Sequence, residues 1–454
     1  MLRIPRLQIV GTHSGCGKTT VVCGILSALH NRNLKLSSLK CGPDYIDPMF
    51  HEKMIGTHSG NLDVFMNGEE NILSLLERQA AGSDFTVIEG VMGMYDGIAF
   101  GSSRGSSNHI SLLTKTPQIL VVNVRGMSTS AEALVKGYLS YEDNHIRGVI
   151  LNNCTKASYF KYKEMLEETL PINVFGFFPP DNRISLESRH LGLITAAETA
   201  NAEEKIRLMG RIAEECLDID GLLELGKDAE DLEPVKTRKP ECKYEVKIAV
   251  ARDRAFCFIY NENIDILKRY GAKILYFSPT SDKNVPEEAD ALMLFGGYPE
   301  EYAKELAENK AMKRSVRSFV KTGKPVYAEC GGFMYLTERL KDRMGKEFEM
   351  CGAISGDSYM TSGLKRFGYL SLTAQKDNLL CKKGETLNAH EFHYSDSTNN
   401  GNGFIAEKQG KRWACILCEG NLFAGYPHLH FGAHPEYLEN LIKQAMETKQ
   451  NGIE

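Results

Sequence analysis

The chain has 454 residues, 42% of them hydrophobic and 25% charged, which fits a globular protein of two or three domains and excludes a chain that is disordered throughout. A formal net charge of −5 provides no basic excess, so we expect no nucleic-acid partner. The sequence has no N-terminal secretory pattern and no apolar run long enough to cross a membrane, and its 12 cysteines are scattered. We therefore expect a cytoplasmic protein with reduced thiols and no membrane partner.

The first half of the chain alternates apolar runs with segments of helical periodicity. The runs LQIV (7–10), FTVIEG (85–90) and QILVVNV (118–124) are unbroken and rich in β-branched residues. Such runs are typical of strands that a parallel sheet buries on both faces, and the segments between them predict the covering helices. We therefore predict an α/β domain with a doubly wound parallel sheet over residues 1–222.

The pattern breaks and then restarts in the second half. Residues 223–245 are charged, contain two prolines and lack core periodicity, so we interpret them as a linker. Apolar runs resume with VKIAVA (246–251) and continue through PVYAE (325–329), after which the sequence becomes richer in strand patterns. The prediction is a second α/β domain over 246–454 with a strand-rich later portion.

The stretch GTHSGCGKTT (11–20) lies between the first predicted strand and the first predicted helix. Small residues there let backbone N–H groups converge on phosphate oxygens, while a lysine reaches the outer phosphates and a hydroxyl binds Mg²⁺. The usual P-loop pattern has glycine at position 12, where this chain has threonine. The motif predicts ATP contacts from Thr12, Ser14, Gly15, Cys16, Gly17, Lys18, Thr19 and Thr20.

Charged residues follow two other strands of this predicted sheet. Glu89 ends the run FTVIE, and LKCGPDYIDP (39–48) contains one lysine and two aspartates. Ligands of open α/β sheets bind at the carboxyl ends of strands, and carboxylates suit Mg²⁺. Asp44 is therefore a candidate Mg²⁺ ligand together with Glu89 and Thr19, and Lys40 is a candidate contact for a phosphate or a substrate carboxylate. Asp96 lies beyond Glu89 in the glycine-rich VMGMYDG.

A second candidate site lies in PVYAECGGFMYL (325–336), where an apolar strand runs into Cys330 and two glycines before a helical segment. A sharp strand-to-helix turn exposes a nucleophile, and a helix N-terminus stabilises a thiolate. Gly296 and Gly297 follow another predicted strand, so their backbone N–H groups, with that of Gly331, are candidates for an oxyanion hole.

A nucleophilic cysteine needs a base that is adjacent in space, and the spacing leaves its identity open. The run GYPHLHFGAHPE supplies His428, His430 and His434, the last with Glu436 nearby. We interpret HEFHYS (390–395) as a strand, because it lacks the helical pair of histidines of a zinc protease.

These motifs resemble those of the cobyrinic acid a,c-diamide synthase family in order and spacing over almost the whole chain. The matching strings are GTHSGCGKTT, LKCGPDYIDP, VIEGVMGMYDG, VRGMSTSAEALV, RGVILNN, RHLGL, FCFIYNENIDIL, FSPTSD, LFGGYPE, AECGGFMYL, HEFHYS and HLHF. The resemblance implies a P-loop domain akin to dethiobiotin synthetase, joined to a class I glutamine amidotransferase domain. It implies that ATP and Mg²⁺ activate the a and c acetate groups of cobyrinic acid as acyl phosphates, and that ammonia from L-glutamine passes to them from the other domain.

The resemblance also assigns roles to single residues. It implies that Cys330 is the nucleophile and that His428 is the base, without the carboxylate that other class I glutaminases have as a third member. It implies that Asn152 contacts adenine. The residues it implies for the corrinoid or its acyl phosphate are Lys40, Tyr45, Asp47 and Asp96.

Two alternatives remain at the level of the sequence. Nickel-sirohydrochlorin a,c-diamide synthases share this architecture and amidate a different tetrapyrrole. An ATP-binding switch with an inactive glutaminase-like domain would bind nucleotide without hydrolysing glutamine. The oligomeric state is open, with a homodimer as one option.

Overall fold

The computed structural model of this chain describes residues 2–184, 196–234 and 244–452, with only the backbone for 196–200. The motif RHLGL (189–193) lies outside the described residues. The chain forms two structural units, Met1–Thr237 and Arg238–Glu454. No helix in the described part of the chain is long and apolar enough to cross a membrane.

In the part that the structure describes, the first unit is built on seven parallel strands. They are β1 (Arg6–Gly11), β2 (Leu36–Cys41), β3 (His58–Leu62), β4 (Phe85–Glu89), β5 (Gln118–Asn123), β6 (Ile146–Asn152) and β7 (Asn173–Phe178). Their order in the sheet is β3-β2-β4-β1-β5-β6-β7. The residues of β1, β2 and β4 are all buried, as expected for strands that a parallel sheet covers on both faces.

Nine helices of the first unit accompany this sheet in the described residues. They are α1 (Lys18–Asn31), α2 (Ile46–Ile55), α3 (Val64–Asn67), α4 (Glu69–Ala80), α5 (Ser107–Thr114), α6 (Ser130–Tyr141), α7 (Lys156–Thr169), α8 (Ala196–Cys216) and α9 (Ile219–Lys227). Because β2, β4 and β1 are parallel neighbours, the residues that follow Cys41, Glu89 and Gly11 meet at one edge of the sheet.

Over residues 244–452, the second unit contains fifteen strands. They are β8 (Lys247–Ala251), β9 (Lys273–Phe277), β10 (Ala291–Leu294), β11 (Val326–Glu329), β12 (Arg339–Lys341), β13 (Glu347–Glu349), β14 (Asp357–Met360), β15 (Arg366–Ala374), β16 (Thr386–His393), β17 (Ser395–Ser397), β18 (Phe404–Lys408), β19 (Lys411–Cys415), β20 (Leu417–Glu419), β21 (Leu422–Gly425) and β22 (His428–Leu429). Its helices are α10 (Asn261–Arg269), α11 (Ala303–Glu308), α12 (Lys310–Lys321), α13 (Gly331–Leu336) and α14 (Pro435–Gln450).

Three sheets organise these strands. The largest has the order β20-β21-β11-β10-β8-β9, in which only β20 is antiparallel to its neighbour. The others are β13-β12-β14-β17 and β19-β18-β15-β16-β22. One hydrophobic core joins residues of the largest sheet, such as Met293, to residues of the five-stranded sheet, such as Leu372. The ends of β11, β16 and β22 frame the second candidate site.

The predicted fold class, two α/β domains with a strand-rich later portion, is confirmed. The motif HEFHYS forms the end of β16 and the start of β17, as expected. Within the predicted linker, residues 223–227 form the last part of α9. This helix buries the side chains of Ile219 and Leu222. Leu232 pairs with Leu2 in an isolated bridge, and residues 235–243 lie outside the described part of the chain.

Candidate functional site

The glycine-rich loop of the first unit connects β1 to α1. Gly17 has a φ of 102°, and a Cβ atom there would lie 2.0 Å from Nδ2 of Asn152, so the loop needs glycine at this point. Asn152 itself donates from Nδ2 to the carbonyl of Cys16 at 2.9 Å. The asparagine that was expected to contact adenine therefore supports the loop directly. His13, Ser14 and Gly15 are exposed at the tip.

Lys18 begins α1 and turns its ammonium group into this loop. Nζ donates to the carbonyl oxygens of His13, at 3.2 Å, and Met92. Burial lowers the pKa of Lys18, because water no longer stabilises its charge. A buried ammonium group held only by carbonyl oxygens is well placed to gain an anionic partner.

Thr19 and Glu89 come into contact at the edge where α1 begins and β4 ends. Thr19 Oγ1 donates to Glu89 Oε1 at 2.7 Å. Glu89 is fully buried, and its other oxygen, Oε2, has no hydrogen-bond partner among the described residues. Burial also raises the pKa of Glu89. A hydroxyl and a carboxylate with an unused oxygen are ligand types that suit Mg²⁺.

A buried lysine neutralises the acidic residues of this edge. Lys40 Nζ lies 2.6 Å from Asp47 Oδ2 and 2.9 Å from Glu89 Oε1. Burial alone would lower the pKa of Lys40, but the charges of Asp47 and Glu89 outweigh it and raise the pKa well above its ordinary value. Lys40 is thus charged and fully paired before any ligand binds.

Three other predicted residues lie on the loops around this group. Asp44 Oδ1 accepts from the backbone N–H of Ile46 at 2.8 Å and so helps to start α2. Tyr45 is half-buried next to it, and the exposed Asp96 accepts from the backbone N–H of Gly93 at 2.7 Å. Burial and then the charge of Asp47 raise the pKa of Asp44 to about 7.

One residue of this group was not predicted from the sequence. His51 on α2 has Nε2 3.7 Å from Glu89 Oε2, and its Nδ1 lies 2.7 Å from Ser38 Oγ. Burial lowers the pKa of His51 to about 4, so the imidazole is neutral at pH 7. A helical histidine eleven residues after Lys40 matches no recognisable motif spacing, which is why the sequence did not reveal it.

In the second unit, Cys330 occupies a strained turn between β11 and α13. Its φ of 47° and ψ of −107° are unusual for a residue with a side chain. Its backbone N–H donates to the carbonyl of Gly425 at 2.8 Å, which fixes the turn against β21. This is the geometry of a nucleophile elbow, and it agrees with the strand–cysteine–glycine pattern.

His428 faces Cys330 from β22. The two side chains share a hydrogen bond, and Nδ1 of His428 lies 3.1 Å from Oε1 of Glu329. Burial alone would lower the pKa of His428, but Cys330 and Glu329 outweigh it and raise that pKa to about 10. The arrangement favours a protonated imidazole beside the sulfur of Cys330.

Glu329 supplies the carboxylate that the resemblance implied to be missing. It is buried, and Oε2 accepts from the hydroxyl of Tyr327 and from the backbone N–H of Leu429 at 3.3 Å. The expectation of a site without a third carboxylate is therefore wrong for this chain. An acidic residue that ends the otherwise apolar strand VYAE, directly before the nucleophile, was the available signal.

Glycines line the site beside His428 and Cys330. A Cβ atom on Gly296 would lie 2.5 Å from Cε1 of His428, and one on Gly331 would lie 3.0 Å from the backbone N of Gly297. The backbone nitrogen atoms of Gly297 and Gly331 are therefore close together beside Cys330. Two converging backbone N–H groups next to a nucleophile can stabilise an oxyanion.

The other two candidate histidines lie elsewhere. His430 is buried with Nε2 3.7 Å from Glu262 Oε2, and its Nδ1 accepts from the backbone N–H of Gly432. His434 precedes α14 with a half-exposed side chain, and its Nδ1 lies 3.0 Å from Glu436 Oε1. The His–Glu pair read from HPE thus exists, but it lies on the surface.

Family models match the two units in succession. The model of the CobQ/CobB/MinD/ParA nucleotide binding domain matches residues 7–194, and that of the CobB/CobQ-like glutamine amidotransferase domain matches residues 247–436.

Curated relatives match nearly the whole chain. The cobyrinate a,c-diamide synthase of Caldanaerobacter subterraneus subsp. tengcongensis is 40% identical over 96% of this chain and 97% of its own length. The enzyme of the same name from Listeria innocua serovar 6a is 37% identical, covering 96% and 98%. That from Thermoplasma volcanium is 36% identical, covering 95% of each chain. The chain therefore belongs to the cobyrinate a,c-diamide synthase family, whose members are glutamine-dependent ligases.

Proposed function

We propose that this chain amidates the a and c acetate groups of cobyrinic acid, with ATP as the activating substrate and L-glutamine as the nitrogen source. The observation that carries the proposal is the group of Cys330, His428 and Glu329 in a chain whose other unit holds a phosphate loop. Glutamine hydrolysis of this type uses a nucleophile, a base and an oxyanion hole. The ammonia that it releases forms an amide only with an activated carboxylate.

In the glutaminase unit, the Cys330 thiolate attacks the side-chain amide carbon of glutamine. The oxygen of that amide gains negative charge, which the backbone N–H groups of Gly297 and Gly331 stabilise. His428 gives a proton to the leaving nitrogen, so ammonia departs and a thioester remains. His428 then takes a proton from the water that cleaves the thioester. Sulfur leaves as the Cys330 thiolate beside the protonated His428, and the new carboxyl group loses its proton to solvent as glutamate.

In the ligase unit, an acetate carboxylate of the corrinoid attacks the terminal phosphorus of ATP, and ADP leaves. Lys18 pairs with the phosphate charge, and a dry site protects the acyl phosphate from water. Ammonia then attacks the acyl carbon and phosphate leaves. Each cycle converts one carboxylate, ATP, glutamine and water into one amide, ADP, phosphate and glutamate.

Thr19 and Glu89 would hold Mg²⁺ at this site, where the ion would neutralise phosphate charge. Within residues 2–184, 196–234 and 244–452, no group of three or more His, Cys, Asp or Glu side chains is arranged to hold a metal ion. Phosphate oxygens and water usually complete the coordination of Mg²⁺ in nucleotide sites, so two protein ligands fit this chemistry. Asp44, on the neighbouring loop, is a further candidate ligand.

Charged residues around the loop would bind the acceptor. Lys40 and Asp47 form a buried pair at 2.6 Å, and Lys40 also contacts Glu89. An incoming carboxylate or acyl phosphate would compete with Asp47 for the ammonium group of Lys40. Tyr45 and Asp96, on the loops beside this pair, are candidates for contacts to the rest of the corrinoid.

The test is to incubate the purified chain with cobyrinic acid, ATP, Mg²⁺ and glutamine and to follow the corrinoid by mass spectrometry. Two successive replacements of a hydroxyl by an amino group, with ADP and glutamate formed in step, would support the proposal. Conversion of nickel sirohydrochlorin but not of cobyrinic acid would retain the mechanism and change the acceptor. ATP binding without turnover of either tetrapyrrole or of glutamine would contradict the proposal.

A further inference from the structure

Three ionisable side chains form a cluster in the second unit that the steps above do not use. Arg366 Nε lies 3.8 Å from Glu391 Oε2, and His393 Nε2 lies 4.0 Å from Glu391 Oε1. Glu391 is 2% exposed and His393 is 5% exposed. Arg366 and His393 are opposite each other on β15 and β16, and Glu391 precedes His393 by two residues on the same face. The cluster therefore projects from one face of the five-stranded sheet.

The polar groups of this cluster are poorly satisfied by the protein. His393 Nδ1 is bonded to the carbonyl of Ser395 at 2.8 Å, but the buried Nε2 has no hydrogen-bond partner among the described residues. Both contacts to Glu391 exceed hydrogen-bond length. Burial raises the pKa of Glu391 to about 7, although Arg366 opposes this. Buried polar groups are normally hydrogen-bonded, so this exception needs an explanation.

Another ion pair of the same unit shows how closely a structural contact can approach. Lys365 and Asp396 lie 2.7 Å apart. The guanidinium of Arg366 instead lies over the ring of Trp413, 4.4 Å from its centroid, and makes no hydrogen bond within the described residues. Stacking holds the plane of the guanidinium while its N–H donors remain available.

A chain of contacts connects the cluster to the nucleophile. Burial raises the pKa of Glu391, and the charges of Arg366 and then of the base His428 oppose this, so His428 is within electrostatic range of Glu391. The ring of His393 stacks on Tyr426 with centroids 4.1 Å apart, and Tyr426 follows the residue whose carbonyl binds the Cys330 backbone. Ser395 Oγ lies 3.6 Å from the sulfur of Met334 in α13, which begins directly after Cys330.

We propose that Glu391 and Arg366 bind the α-amino acid end of glutamine, Glu391 through the α-ammonium group and Arg366 through the α-carboxylate. The proposal rests on the glutaminase activity proposed above, because it names how that site recognises its substrate. Free glutamine carries both charges on one carbon, two methylene groups from the amide that Cys330 attacks. A buried acid beside a stacked guanidinium is complementary to that pair of charges. The ammonium group would give Glu391 the close hydrogen bond that Arg366, at 3.8 Å, and His393, at 4.0 Å, do not make.

His393 has a positioning role in this arrangement. Its Nδ1 is fixed by Ser395 and its ring by Tyr426, so Nε2 is held towards Glu391. Burial lowers the pKa of His393 to about 4, so the ring is neutral at pH 7 and does not compete with the ligand as a cation.

Binding measurements with glutamine analogues test this assignment. The full-length chain carrying Cys330→Ser binds glutamine without hydrolysing it, and calorimetry compares glutamine with glutaramate, which lacks the α-ammonium group. Glu391→Gln in that background should weaken glutamine about 10- to 100-fold, the loss expected for one hydrogen bond to a charged group, and should leave glutaramate binding unchanged. Arg366→Gln should show the mirror pattern, weakening glutamine but not 4-aminobutanamide, which lacks the α-carboxylate.

Glu407→Gln provides the matched control, because Glu407 lies on β18 in an exposed ion pair with Arg412 at 3.5 Å. It should change neither affinity. Equal weakening of glutamine and glutaramate by Glu391→Gln would assign the cluster a structural role and overturn the proposal, as would a chain that does not prefer glutamine to glutaramate. Because binding is the readout, glutamine recognition without corrinoid amidation would contradict only the proposed function.

Discussion

Glu329 directly precedes the nucleophile in the sequence, but its carboxylate acts on His428. The carboxylate lies 3.1 Å from Nδ1 of His428, so it fixes the orientation of the ring and stabilises its protonated form. The hydroxyl of Tyr327 and the backbone of Leu429 hold the carboxylate in place. We infer that Glu329 is a positioning residue that acts on Cys330 through His428.

Replacing this carboxylate should affect the rate and its pH dependence together. Glu329→Gln should lower the glutaminase kcat by about 10²- to 10⁴-fold, because an amide does not stabilise the imidazolium. Glu329 helps to raise the pKa of His428 to about 10, so its removal lowers that pKa. The imidazolium is then lost at lower pH, and the alkaline limb of the kcat profile should move to lower pH.

The control for this prediction is Glu436→Gln, the same change beside the exposed His434. It should leave the glutaminase rate and profile unchanged. A normal profile in Glu329→Gln, with glutamate release measured directly, would contradict the positioning role.

Lys40 offers a second prediction at the scale of one side chain, this time for stability. Lys40→Met should lower the free energy of unfolding by about 3–5 kcal/mol at pH 7, because it leaves the buried Asp47 and Glu89 without their cation. The charge of Lys40 outweighs burial and holds the pKa of Asp47 below its ordinary value, so this contribution is present above that ordinary value and is lost as pH falls. The difference from the unmodified chain should therefore shrink in acid, measured by urea unfolding across pH.

Lys365→Met is the matched control, because Lys365 makes an equally short contact to Asp396 at 2.7 Å but has a 41% exposed side chain. Its removal should cost about 1 kcal/mol, because solvent screens this half-exposed lysine and Asp396 keeps hydrogen bonds from Asn400 and from the backbone N–H of Ser397. Equal losses for the two variants would contradict the view that burial decides the importance of the Lys40 pair.

At the scale of elements, both candidate sites are turns between a buried parallel strand and a helix. β1 leads through the glycine-rich loop into α1, and β11 leads through Cys330 into α13. The sequence reveals such turns because they combine an apolar run, small residues and helical periodicity within about 20 residues. The linker prediction shows the limit of this reasoning. Residues 223–227 were predicted to be part of a charged linker, but they belong to α9, a helix that buries only a few side chains.

The glycine-rich loop allows a paired test of its backbone. Gly15 and Gly17 have φ values of 82° and 102°, but only at Gly17 would a Cβ atom meet other atoms, at 2.0 Å from Asn152. Both alanine variants carry backbone strain of about 1–2 kcal/mol. Gly17→Ala must also displace Asn152 from Cys16, so it should lower Tm further and weaken ATP binding more than Gly15→Ala. Equal effects on Tm and on the Kd for ATP would contradict the supporting role of Asn152.

At the scale of the whole molecule, local patterns predicted the class of each unit but not the contacts that finish each site. Glu329 and His428 are 99 residues apart, and Arg366 and Glu391 lie on different strands. Such contacts depend on strand order and register, which apolar runs do not encode. Cys330 was recognisable because its signal is local, whereas the choice among three histidines needed the placement of β22 beside β11.

Single substitutions should separate the activities of the two units. Cys330→Ala should lose glutamine-dependent amidation and keep ammonium-dependent amidation, because ammonia can attack the acyl phosphate whatever its source. That rate should rise with pH, since only the unprotonated fraction is nucleophilic. Lys18→Met removes the cation of the phosphate loop, so it should lose amidation with either nitrogen source. The measurement is amide formation on the corrinoid with glutamine or ammonium chloride. Failure of ammonium to restore a folded, ATP-binding Cys330→Ala chain would contradict a ligase unit that works on free ammonia.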